Sequence, residues 1–357
     1  MITNDSLLFI LIISSITFSK ILYIILLRFS RTLGQRVKEN EIRWEVPIKP
    51  SLGGIVFFMN FLFVIIFWFF VNQFSYSEFK WQIAAFILSV SGAFLMGLSD
   101  DAYNTNPTMK FLIQLLCGTL LVLAGIHFQI FSIQLINYAL TVIFVVLIMN
   151  GMNLIDNMDG ISGSVSLVIS FNLLLFHFLL NQPFPILTFV LIGNICTLLV
   201  FLFYNIHPSK IYMGDSGSQF QGLLISASAI ILFSPITSKF YKPDFHHQAL
   251  MIGLIFLIPV VDVTTVFIQR ILRGSSPFVG GKDHTNHALF FRGLSVNKIV
   301  LLYVLLQLIA CTLSAFFIFY ASPLLFGISF VYVLLILGVL FYITLLVNPI
   351  RKKNANP

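Results

Sequence analysis

The sequence predicts an all-α polytopic integral membrane protein of about eleven transmembrane helices, ten being the lower count, and three observations carry that prediction. Apolar residues make up 58% of the 357 and charged residues only 9%. The 20 basic and 13 acidic side chains are too few to coat a soluble globule of this size, and 40 phenylalanines would make its surface aggregate. The apolar residues also come in runs near the length of about 20 that crosses a hydrocarbon core while every backbone group bonds within its own helix.

Taken in order, the runs are 7–27, 52–71, 83–99, 111–127, 136–149, 161–180, 186–205, 219–233, 249–271, 299–320 and 324–347, the fifth and eighth being short. The first has Asp5 and no basic residue before it, so it reads as an uncleaved span rather than a signal peptide. Nothing between the runs is long enough for a soluble domain, and 1–357 reads as a single membrane domain. Cys117, Cys196 and Cys311 lie in three different runs, which argues against a disulfide framework or a thiolate metal site.

Basic residues orient the spans, because cytoplasmic loops retain Lys and Arg. The segments 28–51, 100–110, 150–160, 206–218 and 272–298, with the tail and with Arg270 at the end of the ninth run, hold sixteen of them. The opposite side holds Lys80, Lys239 and Lys242, and Lys20 lies within the first span. The N-terminus is therefore expected outside and the C-terminus in the cytoplasm. The net charge of +7 follows from this topology with some attraction to anionic lipid, and nucleic acid is not an expected partner.

The acids break this pattern. Asp100, Asp101, Asp156, Asp159 and Asp215 all sit at the cytoplasmic ends of apolar spans, where charge is costly and usually functional. Converging carboxylates repel unless a cation lies among them, and hard oxygen ligands favour Mg²⁺ bridging to a phosphate. Asp100-Asp101 closes the third span, and its bland reading is a solvated helix end. Asn150, Asn153, Asp156 and Asp159 recur every three residues, lining one side of a helical turn. Such amides pair a uracil edge or ribose hydroxyls, or else form an interhelical polar seam.

Gly214 and Gly217 permit a tight turn and close backbone approach to a ligand, Ser216 and Ser218 offer donors to anions, and Tyr212 adds an aromatic face. The alternative there is a helix cap. In the 277–287 loop, His284, His287 and Lys282, followed by Arg292, suit a diphosphate, the alternative being a solvated basic loop. A zinc site would need more ligands than the two His. Lys49 to Gly54, with Gly53-Gly54, reads as a helix entrance. All five segments fall on the side expected to face the cytoplasm.

In this order the motifs resemble the polyprenyl-phosphate N-acetylhexosamine-1-phosphate transferases, glycosyltransferase family 4, over roughly 49–292. The resemblance implies transfer of N-acetylhexosamine-1-phosphate, foremost GlcNAc-1-phosphate, from a UDP-sugar to undecaprenyl phosphate. The products would be undecaprenyl-diphosphate-sugar and UMP, starting a lipid-linked cell-envelope glycan such as lipopolysaccharide O-antigen or teichoic acid. It implies Mg²⁺, with Mn²⁺ as a substitute, and a multi-pass place in the cytoplasmic (inner) membrane; a homodimer is one assembly open to the chain, whose oligomeric state the sequence does not name. Residue by residue, it implies catalytic roles for Asp100, Asp101 and Asp159 and metal ligation by Asp215 and Asp156. It assigns Asn153, Asp156, Tyr212 and Gly214 to the nucleotide, with Tyr212 stacking on uracil. Lys110, His284, Asn286, His287 and Arg292 fall to the diphosphate and sugar, and Lys49, Gly53 and Gly54 to the substrate entrance.

Asp262 matches a recurrent family acid and is expected to be a structural hydrogen-bond partner able to hold Arg270, whereas His246-His247 lies on an external loop and is not expected to bind metal. Two departures from the muramoyl-pentapeptide branch, the placement of Lys49 and Asn286 within the His motif, point to the glycan-initiating branch. The alternatives are the phospho-N-acetylmuramoyl-pentapeptide transferase reaction and, from another class, an ion-coupled transporter, which would place its acids near the bilayer midplane. A two-step route through an aspartyl-phosphate stands beside direct in-line transfer, and sugar discrimination is expected of 280–287.

Overall fold

A computed structural model describes residues 4–32, 49–72, 79–180, 184, 186–234, 245–274, 283–320 and 322–354. They form thirteen helices: α1 (Asn4–Thr32), α2 (Gly53–Val71), α3 (Lys80–Tyr103), α4 (Pro107–Leu123), α5 (Gln134–Ile155), α6 (Ile161–Leu179), α7 (Ile186–Asn205), α8 (Gly214–Phe233), α9 (Phe245–Ile255), α10 (Leu257–Leu272), α11 (Thr285–Phe291), α12 (Val296–Phe319) and α13 (Pro323–Asn354). Among the described residues the sole β feature is a bridge between Ser51 and Tyr212. Among the described residues nine helices are long and apolar enough to cross a membrane, and the bent pair α9–α10 makes ten if it is one span.

Every predicted run contains a helix, the fourth ending at Leu123 rather than His127, with three further corrections. The fifth and eighth are not short: α5 runs on through Asn150 and Asn153, and α8 begins at Gly214, because polar residues at their ends stay in the helix where neighbouring helices satisfy them. The short one is the fourth, 17 residues, whose start is set by Asn106 accepting from Thr108 N at 2.9 Å ahead of Pro107. The ninth is broken, α9 and α10 meeting at 86°. The segments expected as loops are correspondingly shorter: 100–103 and 150–155 are helical, α11 and the start of α12 lie within 272–298, and 33–48 and 275–282, with Lys282, lie outside the described residues.

α8 is the axis of the bundle. It contacts α2, α3, α5 and α6, and its span is wholly buried, whereas the apolar span of α13 is 17% buried and exposes Leu324, Leu334 and Leu335. Its Gly, Ser and Ala residues let neighbouring backbones come close, as helices without a water-driven force between them require. A Cβ on Gly54 of α2 would lie 2.3 Å from Gly217 N, and one on Gly97 of α3 would lie 2.3 Å from Asp215 O. Both contacts gather α2 and α3 around the first turn of α8.

Candidate functional site

The first turn of α8 is built by a carboxylate from α3. Asp101 accepts from Asp215 N at 3.0 Å and Ser216 N at 2.9 Å, satisfying amides that the helix cannot pair itself. Gly214 is required there twice over: its φ is +76°, and a Cβ would fall 2.8 Å from Asp101 Oδ2. The close approach predicted for this glycine turn thus serves the protein's own packing, Gly54 against Gly217 and Gly214 against Asp101.

This cap presents Asp215 to its neighbours. Asn153, in the last turn of α5, donates to Asp215 Oδ1 at 2.7 Å and to Ser218 Oγ at 3.0 Å. The Asp215 carboxyl meets that of Asp100, and Lys110 lies against both, paired with Asp100 and 4.0 Å from Asp215. Asp100 is 2% exposed and also accepts from Thr105 N at 2.8 Å and Thr105 Oγ1 at 3.0 Å, which fixes the α3–α4 turn. Asn150, one turn before Asn153, donates to Gln114, which in turn donates to Gln219 at 3.0 Å. Its role is the interhelical seam.

A cavity of about 230 Å³ lies nearby, lined by Lys49, Asp156, Asn157, Met158, Asp159, Asn205, His207, Tyr212, Phe290, Ser295, Val296 and Asn297. Asp159 anchors one wall, accepting from Ser209 N at 3.0 Å, Ser209 Oγ at 2.8 Å and the His207 ring at 3.0 Å, with Lys49 Nζ at 3.7 Å. Lys49 also donates to Ser209 at 3.2 Å and stands 5.3 Å from the centre of the Tyr212 ring. Gly53 N and Gly54 N donate to the carbonyls of Tyr212 and Met213, so the predicted entrance is stitched to the start of α8.

The third assembly joins α10, α11 and α12. Asp262 accepts from Thr285 N at 2.9 Å, from Thr285 Oγ1 at 2.5 Å and from the His284 ring at 3.0 Å, while Thr285 Oγ1 also meets Tyr303 Oη. Asp262 is the structural partner expected, but its partner is not Arg270. Residues eight apart on a helix are about 12 Å apart, and Arg270 instead forms a bidentate pair with Asp283, Nε to Oδ2 at 2.9 Å and Nη2 to Oδ1 at 2.7 Å. Burial alone would raise the Asp283 carboxyl, but its bonds to Arg270 hold it below the usual carboxylate range.

Of the predicted residues, Asp100, Asp101, Lys110, Asn153, Gly214 and Asp215 come together around α8, and Lys49, Asp156, Asp159 and Tyr212 around the cavity. Asp156 lines the cavity whereas Asp215 meets Asp100; among the described residues no group of three His, Cys, Asp or Glu side chains is gathered that could hold a metal. His284, Asn286 and His287 are buried, the two rings meeting edge-on with centroids 5.5 Å apart, and Asn286 reaches the cavity wall by donating to Asn157 at 2.5 Å. Arg292 is exposed at the end of α11. His246 and His247, expected on a loop, lie in the first turn of α9, and the His247 ring meets Phe317 and Phe326 edge-on. Sequence reasoning missed His207, Phe290, Ser295 and Asn297, which carry no motif and reach the cavity only through the fold.

Residues 83–233 match the glycosyl transferase family 4 pattern. The chain is 32% identical over 276 residues to a "probable undecaprenyl-phosphate N-acetylglucosaminyl 1-phosphate transferase" of Bacillus subtilis, covering 73% of this chain and 71% of that protein. It is 27% identical to a decaprenyl-phosphate N-acetylglucosaminephosphotransferase of Mycobacterium leprae, covering 71% and 69%. It is also 29% identical to a phospho-N-acetylmuramoyl-pentapeptide-transferase of Limosilactobacillus reuteri, covering 79% and 87%. With its apolar helices and its ordered motifs, the chain belongs to glycosyl transferase family 4 and is a multi-pass membrane protein.

Proposed function

We propose that this protein transfers N-acetylhexosamine-1-phosphate, foremost GlcNAc-1-phosphate, from a UDP-sugar to undecaprenyl phosphate, releasing UMP and starting a lipid-linked envelope glycan. The observation that carries this reading is the placement of Asp215 beside Asp100 and Lys110 at the start of α8, next to the cavity walled by Lys49, Asp159 and Tyr212. The relatives named for polyprenyl-phosphate GlcNAc-1-phosphate transfer support it.

In this reading the nucleotide occupies the cavity. Tyr212 and Phe290 offer aromatic faces, and Asn157 and Asn297 offer amides for a pyrimidine edge. Lys49 and Lys110 offset diphosphate charge. A lipid-phosphate oxygen bonds to the phosphorus that bears the sugar as the bond from that phosphorus to the bridging oxygen of UMP breaks, and UMP leaves with the electron pair.

Asp215 fits Mg²⁺, which is commonly held by one or two carboxylates, waters and substrate phosphates rather than by a full protein cage, while the neighbouring Asp100 is bonded to Thr105 and Lys110. When bound, the ion supplies charge neutralisation at the diphosphate. Asp101 and Asp159 spend their oxygens on backbone amides and loop side chains, so they position the site. Eleven crossings, N-terminus outside and C-terminus inside, in the inner membrane and as a homodimer, complete the proposal. The lysine and arginine asymmetry supports the orientation.

The test is UMP release by detergent-purified protein given undecaprenyl phosphate, Mg²⁺ and, separately, UDP-GlcNAc, UDP-GalNAc or UDP-MurNAc-pentapeptide. Lipid-dependent release with UDP-GlcNAc is expected. Release with the pentapeptide donor alone would move the protein to the other branch, and no release with any donor together with substrate flux in liposomes would replace the reading with transport.

A further inference from the structure

The break between α9 and α10 interrupts backbone bonding in an apolar region, where no water replaces the lost partners. Phe256, at the break, is fully buried, and so is Gln307 of α12. The Gln307 amide spans the break. Its Oε1 accepts from Ile258 N at 3.1 Å, and its Nε2 donates to Leu254 O at 3.1 Å and Ile255 O at 2.8 Å. One side chain thus satisfies the end of α9 and the start of α10 together.

Gln307 lies one helical turn from Tyr303, whose hydroxyl meets Thr285 at the start of α11. The same face of α12 therefore holds both the break and the element toward which the break turns the chain. Beyond it, Asp262 and Arg270 of α10 grip His284, Thr285 and Asp283, and Asn286 donates to Asn157 on the cavity wall. The connection from Gln307 to the cavity is continuous.

We infer that Gln307 is a positioning residue: it fixes the 86° turn that aims α10 at the 283–287 segment and so sets that segment against the cavity. Its activity consequence rests on the function proposed above; its geometric consequence does not. Spin labels at Ala249→Cys and Leu272→Cys, one on each side of the break, report the angle, because the three native cysteines are buried. With a rise of about 1.5 Å per residue, straightening the turn would lengthen the separation by roughly 8 Å.

Gln307→Met, similar in shape but without the amide bonds, is expected to lengthen or broaden that distance. It is expected to lower kcat at least tenfold while the donor KM changes less than threefold, because Lys49, Asp159 and Tyr212 keep their own bonds. Gln307→Asn, a methylene shorter, replaces it if the Met variant is not monodisperse, and Gln307→Glu, which keeps the acceptor for Ile258 N, is expected to stay nearest the native distance. Thr312→Val, on the exposed face of α12, is expected to change nothing. A native distance in the Met or Asn variant, or an altered distance with unchanged kcat, overturns the inference. A parallel loss of kcat and donor affinity assigns Gln307 to general stability and overturns it too. An inactive wild type with the expected distances contradicts the proposed function alone.

Discussion

Two helix starts in this molecule are capped by a carboxylate from another helix, and they have different consequences. At α8, Asp101 bonds backbone amides, and the turn it creates holds Asp215 half-buried beside Lys110 and the Asp100 carboxyl. At α11, Asp262 bonds one amide but also the His284 ring and the Thr285 hydroxyl, within a cluster closed by Tyr303. The first start presents a charged group to the site; the second encloses its carboxylate. A carboxylate cap can therefore build reactivity or rigidity, depending on whether the side chains of the capped turn face a cavity or a third helix.

Changing Asp215 should produce the largest effect on turnover. Asp215→Asn is expected to lower UMP release by about 10²-fold or more, the scale of losing one preorganised electrostatic group, with melting nearly unchanged. Asp262→Asn should act on the enclosed side instead. Losing a hydrogen bond to a buried carboxylate costs about 1.5–3 kcal/mol, so its main signature is a lower melting temperature in detergent.

Gly54→Ala tests whether α8 must be approached closely. A Cβ 2.3 Å from Gly217 N forces α2 and α8 apart, an overpacking cost of about 1–3 kcal/mol, and turnover should fall together with melting. The smallest effect concerns Asp283. Its depressed folded-state pKa means that its pair with Arg270 contributes stability above the unfolded value of about 4 and loses it as pH falls through the folded value. Asp283→Asn should melt roughly 2–4 °C below wild type near neutrality, and the two curves should converge in acid. Curves that stay parallel across that range would remove the ion pair as the cause.

The five polar segments were legible because an Asp or Asn beside a long apolar run is conspicuous, and the helices were legible from run length alone. What escaped depended on partners distant in the chain. The run 249–271 is apolar from Ala249 to Val261, and its break, three residues before Pro259, is satisfied by Gln307, about fifty residues later. Asp262 suggested Arg270 because both lie on one helix, yet its partners arrive on α11. His207, alone beside Pro208, gains its place only when Asp159 folds against it. The roles of Asp100 and Asp101 could not be divided by sequence, since adjacent helical residues point about 100° apart and only the packing of α8 decides which meets backbone and which meets Asp215.

The most direct measurement compares Asp101→Asn and Asp215→Asn in parallel for lipid-dependent UMP release and thermal melting in the same detergent. Asp215→Asn is expected to lower release by about 10²-fold or more while melting like wild type. Asp101→Asn is expected to melt lower, by roughly the 1.5–3 kcal/mol of a charge-assisted hydrogen bond, and to retain part of its turnover. Release undiminished in Asp215→Asn, or abolished in Asp101→Asn without loss of stability, would contradict the assignment of Asp215 to the reaction and Asp101 to its support.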